Sequence, residues 1–158
     1  MGTVSSWMLF LHILAALWLA AGSFAGAVVR AQTKRAGDLA GKVFGLRLAG
    51  RLASVFIVPG ALVAGLLGFY LVTARGWGFG LTWVQISAVL YLLMLAITLF
   101  YLVPRLRRTV RAAEESLRAG APTAELQQLT ASKLPGILAD VNALGIVILT
   151  LLMTVKPG

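Results

Sequence analysis

Few residues in this chain are able to do chemistry, and most of those sit inside hydrocarbon. His12, the single histidine, lies within the apolar run SWMLFLHILAALWLAAGSFAGAVV at 6–29. Asp140 and Asn142 fall just inside another apolar run that begins at Leu134. Ionisable side chains in a bilayer are costly, so each raises a functional hypothesis. For an imidazole the options are ligation of haem or a metal through a ring nitrogen, and proton transfer; the bland alternative is a hydrogen-bonded packing residue.

Depth decides which of these residues belong together. At about 1.5 Å per helical residue, His12 lies roughly 9 Å below one boundary of its run, and Asp140 roughly 9 Å from the opposite boundary. In a core of about 30 Å this leaves about 12 Å of height between them, so no direct pair is expected. Tyr70, Gln85 and Ser87 lie nearer the level of His12 and are its expected neighbours in a polar cluster. Asp140 is expected to pair with Arg51 or Arg105, and Asn142 to bond across helices as packing glue.

Other constellations are missing. The sequence has no cysteine, no second histidine and no HExxH, and it lacks paired carboxylates at a catalytic spacing and a phosphate-cradling glycine loop. Thiolate-held zinc, iron–sulfur clusters and a two-histidine haem site within one chain are therefore excluded.

The elements that must position these residues follow from composition. Of 158 residues 59% are hydrophobic and only 12% charged, half the charged share of an ordinary soluble domain. Four runs, 6–29, 52–74, 81–103 and 134–155, are each long enough to cross a membrane as a helix and lack the alternation of a barrel strand. The expected fold is all-α: an antiparallel bundle of four transmembrane helices with a helical hairpin between the third and fourth. The first run reads as an uncleaved anchor, because its leader carries no positive charge and the dense charge follows it.

The net charge of +9 would suit nucleic acid, but the basic residues flank spans and no aromatic-interleaved basic module appears. Loops 30–51 and 104–133 hold six Lys and Arg each, against Arg75 and Lys156 on the other side. That asymmetry predicts an inner (plasma) membrane protein with both loops cytoplasmic, both termini outside, and anionic lipid as a partner at the cytoplasmic face. Trp7, Trp77 and Trp83 agree, falling where the outer interfacial belt belongs.

Loop 30–51 is basic and weakly amphipathic, with Ala36, Leu39, Ala40 and Val43 on one face. It is expected either as an interfacial helix or as a solvated loop. Pro59-Gly60 should kink the second span. Gly22 and Gly26 in the first span, and Gly60, Ala64 and Gly68 in the second, repeat at the four-residue spacing of helix-packing faces. Beyond Pro104, Arg111 with Glu115 and Glu114 with Arg118 favour a helix running on to Gly120. Thr123 is placed to cap a second helix through Lys133, and the hairpin reads as a solvated connector rather than a docking site.

The motifs LHILAALWLAAG at 11–22, Pro59-Gly60 with Gly68, Trp83-Val84-Gln85 and the closing Lys156-Pro157 resemble an uncharacterised family of bacterial four-helix integral membrane proteins. More distantly they resemble the HemJ-type protoporphyrinogen oxidases and the CopD-type copper-resistance membrane domain. The HemJ likeness implies a haem-b protein with an essential first-span histidine and third-span lysine. His12 matches the histidine and Asp140 lies near that family's last-span acidic residue, but the lysine position falls on Ser87. Serine is not a comparable haem ligand.

The expected function is accordingly an integral membrane protein that binds haem b or a metal through His12, with Tyr70, Gln85 and Ser87 beside it, in a redox-related role. The alternatives are a non-catalytic accessory or structural subunit of a membrane complex, and a small-molecule or ion carrier working as a homo-oligomer.

Overall fold

The computed structural model describes residues 2–77 and 80–156, so Pro157 of the closing motif lies outside the described residues. Among these every regular element is a helix: α1 (Gly2–Arg35), α2 (Leu39–Ala74), α3 (Thr82–Ala119), α4 (Ala124–Ala131) and α5 (Leu134–Val155). Helices α1, α2, α3 and α5 are the four long and apolar enough to cross a membrane. Leu66, Phe69, Val89 and Phe100 face outward, as lipid-facing residues do.

The helices run well past the apolar stretches. The helix of the second span begins at Leu39, and that of the third continues to Ala119. Each contains one π-helical turn, Ala53–Ile57 in α2 and Ile97–Leu102 in α3, and each turn sits just before a proline, Pro59 or Pro104. A proline ring clashes with the carbonyl four residues back and offers that carbonyl no N–H. The wider turn accommodates the defect while the helix continues.

Antiparallel register is visible in the contacts. His12 meets Ala64, Trp18 meets Val55, and Gly45 lies under Thr33, so α1 and α2 run in opposite directions. Asn142 meets Met94 and Thr98, while Lys156 lies over Trp83, which sets α5 against α3. Helix α1 also touches α5. The bundle thus has a basic end, carrying Arg30, Lys34 and the α3 extension, and an aromatic end.

The aromatic end is clasped. Trp77 and Trp83 meet edge to face with centroids 5.3 Å apart, and the Lys156 ammonium lies 4.4 Å from the Trp77 ring. Arg75 lies over the same ring and donates from Nε to the Ser5 hydroxyl at 3.4 Å. Residues from all four long helices or their ends meet there.

The basic end differs from both readings of loop 30–51. That segment is not a loop: to Arg35 it continues α1, and from Leu39 it is helix that packs on the α3 extension and α4. Val43 is 1% exposed and Ala113 0%, and with Ala112 and Leu126 they form a buried apolar cluster. The hairpin folds back on α2 through Leu126 and Leu129, while the rest of α4 stays exposed. Its small residues explain the compactness, since alanines at 112 and 113 let neighbouring helices approach closely. Gly120 closes α3 at φ +72°, a left-handed position that suits glycine. Thr123 then caps α4 by accepting from the Leu126 N–H, and Ser116 Oγ lies 2.9 Å from the Thr123 hydroxyl. Arg47 and Glu114 pair across the outside of the module at 2.8 Å.

Candidate functional site

His12 sits on α1 where α2 offers its smallest surface. Its Nδ1–H donates to the Ala64 carbonyl at 2.9 Å, and a methyl built on Gly68 would come within 3.0 Å of the imidazole Cε1. The small residues of α2 are thus what lets the ring reach that backbone. With Nδ1 carrying the hydrogen, Nε2 of the neutral ring keeps its lone pair.

One turn away along the interface, a methyl on Gly60 would meet the Leu19 backbone nitrogen at 2.9 Å, so the two main chains are nearly in contact. Gly22 lies against Phe56 and Ile57, whereas the nearest neighbour of a methyl on Gly26 is Arg30 of its own helix. Trp18 stacks on Phe56 with centroids 4.6 Å apart and donates its indole N–H to the Val55 carbonyl at 2.9 Å. Val55 is the residue four before Pro59, so this carbonyl is the one the proline deprives of a backbone donor.

The expected cluster around His12 is not what the geometry assembles. Tyr70 lines an apolar groove of about 420 Å³ between α2 and α3, together with Gly65, Phe69 and Tyr91. Tyr91 reaches across this side to donate to the Ala61 carbonyl at 2.9 Å, lying over Gly65. Ser87 is 6% exposed, and its hydroxyl has no hydrogen-bond partner among the described residues. Gln85 lies on an exposed face of α3. His12 and Ser87, the two positions singled out by the haem-protein likeness, share no hydrogen bond among the described residues. Tyr91 had no place in the sequence reading; glycine at 65 opposite an aromatic was its only signal.

Asp140 takes a different partner from those expected. It pairs with Arg30, at the end of the first apolar run, and not with Arg51 or Arg105. Arg30 follows His12 by about 27 Å of helix at about 1.5 Å per residue, so Asp140 is remote from the imidazole. Arg105 instead donates to the Leu129 carbonyl at 3.1 Å and ties α3 to α4. The expectation failed because Arg30 was counted as loop, while α1 continues helical to Arg35 and aims it at α5.

Asn142 donates to Thr98 Oγ1 at 2.8 Å and to the Met94 carbonyl at 3.2 Å, and a methyl on Gly145 beside it would strike Met94. It joins α5 to α3 as cross-helix glue.

A haem or metal centre places demands on donors. Among the described residues no group of three His, Cys, Asp or Glu side chains is placed to hold a metal ion. His12 supplies one nitrogen, and the lysine position of the haem-protein likeness holds a serine buried on another helix pair. The residues present do not fit a haem with two ligands from one chain.

Four apolar helices, closely packed through glycine and alanine and joined by side chains bonded to neighbouring backbones, define a helical integral membrane protein. The chain belongs to the family described as "Predicted integral membrane protein (DUF2269)", which it matches over residues 6–157. Nothing in the comparisons carries the likeness to HemJ-type or CopD-type proteins. Neither a curated protein nor a solved structure matches the chain.

Proposed function

We propose that this protein is a non-catalytic accessory or structural subunit of a membrane complex, with its basic end on the cytoplasmic side. The observation that carries this reading is the use made of the polar side chains within the spans. His12, Trp18, Tyr91 and Asn142 each donate to a backbone carbonyl of a neighbouring helix. Such bonds join helices in a medium with no water to offer. The folded module at the basic end gives a partner a surface outside the bilayer. The charge asymmetry of the loops supports the orientation.

A rival reading keeps His12 as a ligand of haem b or a metal. It is favoured by the donated Nδ1–H, because ligating histidines hold their second nitrogen in this way and present the other to the metal. Since one chain supplies a single histidine, this reading needs a second copy or an unfilled position.

Two measurements on protein extracted in mild detergent from haem-replete cells separate the readings. The accessory reading expects a colourless preparation that migrates as a larger hetero-complex. It is overturned by a Soret band that His12→Ala abolishes, or by gel filtration giving only monomer or homo-oligomer.

A further inference from the structure

We propose that the cleft between the last turns of α1 and the first turns of α5 binds the phosphate of an acidic phospholipid. The cleft has a volume of about 310 Å³ and is lined by Arg30, Lys34, Arg35, Gly136 and Asp140. That is the space of about ten waters at about 30 Å³ each, room for a phosphodiester with part of its glycerol. Three cations and one carboxylate leave the lining with a formal charge of +2. Asp140 pairs with Arg30 and holds that guanidinium in place. Lys34 and Arg35 have no anionic partner among the described residues.

Position points to lipid as the source of the phosphate. Arg30 ends the first apolar run and Gly136 opens the last, so the cleft lies at the edge of the hydrocarbon, the level of headgroups. Val28 and Ile137, immediately on the hydrocarbon side, are 62% and 55% exposed and offer apolar surface to acyl chains. A soluble anion would use the cations and leave that surface idle. Basic pockets between transmembrane helices recognise acidic headgroups through the same combination of fixed charge and depth. Among the basic residues of α3 beyond Pro104, Arg107, Arg108 and Arg111 are exposed.

The test is the thermal midpoint of the full-length protein in detergent micelles, titrated with phosphatidylglycerol or phosphatidylcholine. Phosphatidylglycerol is expected to raise the midpoint saturably, and phosphatidylcholine to do so far less. The Lys34→Ala/Arg35→Ala variant should need roughly tenfold more phosphatidylglycerol, or more, for half-saturation, given what each basic residue contributes near an acidic surface. The charge-conserving Lys34→Arg variant should keep half-saturation close to that of the unaltered protein. A control that removes the same charge elsewhere, Lys42→Ala/Arg111→Ala, should change half-saturation by less than about threefold. Equal shifts from the two double variants, or equal effects of the two lipids, overturn the proposal. So does inorganic phosphate reproducing the whole stabilisation with no further gain from lipid.

Discussion

The two ends of helix α2 are packed by different physics. Toward the aromatic end, its residues 55–68 meet α1 through bare backbone and a few polar donors: Gly60 against the Leu19 main chain, His12 on Ala64, Trp18 on Val55. Toward the basic end, Val43 joins Ala112, Ala113 and Leu126 in an apolar cluster closed by the capped turn at Gly120–Thr123. Lipid tails are as apolar as leucine, so burying a large side chain between spans gains little over leaving it in lipid. Close approach and directed hydrogen bonds carry the association there. At the basic end, burial from water does the work, as in a soluble protein. One continuous helix serves both regimes, and the boundary between them falls at its π-helical turn.

Substitutions that respect one regime and violate the other would break this contrast. The largest effect is expected for Gly60→Leu, whose side chain would push on the Leu19 backbone and not on a flexible tip. Overpacking costs about 1–3 kcal/mol or more, and a main chain has little room to yield. The thermal midpoint in detergent should fall steeply, with loss of α1–α2 association; an unchanged midpoint would remove the close-approach account.

Ala113→Leu comes next, at about 1–3 kcal/mol of overpacking in the module. Limited proteolysis should then cut within 105–131 while the four spans remain protected. If the spans open together with the module, the two regions are one cooperative unit and the contrast fails. The smallest effect is expected for Trp18→Phe, which keeps the stacking on Phe56 but removes the indole N–H. A loss of about 0.6–1.7 kcal/mol in the midpoint analysis matches measured interhelical bonds in membranes. A larger loss would show that the Val55 carbonyl is served by nothing else.

How much of this was legible in the sequence follows the same division. The spans announced themselves because twenty apolar residues in a row have few other uses. The glycine and alanine repeats marked the α1–α2 face because only small residues permit that approach. The module was harder to see: residues 39–52 mix three glycines and three basic residues with the apolar ones, so the face of Leu39, Ala40 and Val43 suited headgroups or a solvated loop as well as a neighbouring helix. Helix ends were equally obscure, since apolar content stops at Arg30 while hydrogen bonding continues to Arg35, and this misdirected the partner of Asp140. His12 was found for its chemistry, but its acceptor was not, because a backbone carbonyl leaves no trace in the amino-acid letters. Tyr91 was missed for the same reason.

The π-helical turns in α2 and α3 also carry a lesson about counting. Each inserts one residue beyond the ordinary α-helical turn, and one residue is worth about 100° of rotation in a helix of 3.6 residues per turn. The face that α2 shows to α1 at Gly60 therefore cannot be extrapolated back to Val43 by a steady helical repeat, nor that of α3 from Thr98 to Ala112. Each of these two helices is in effect two shorter ones on a shared axis, indexed separately, with the proline marking where the index resets. An insertion or deletion of one residue within 53–57 or 97–102 would leave every apolar run intact, yet swing one end of the molecule around the other.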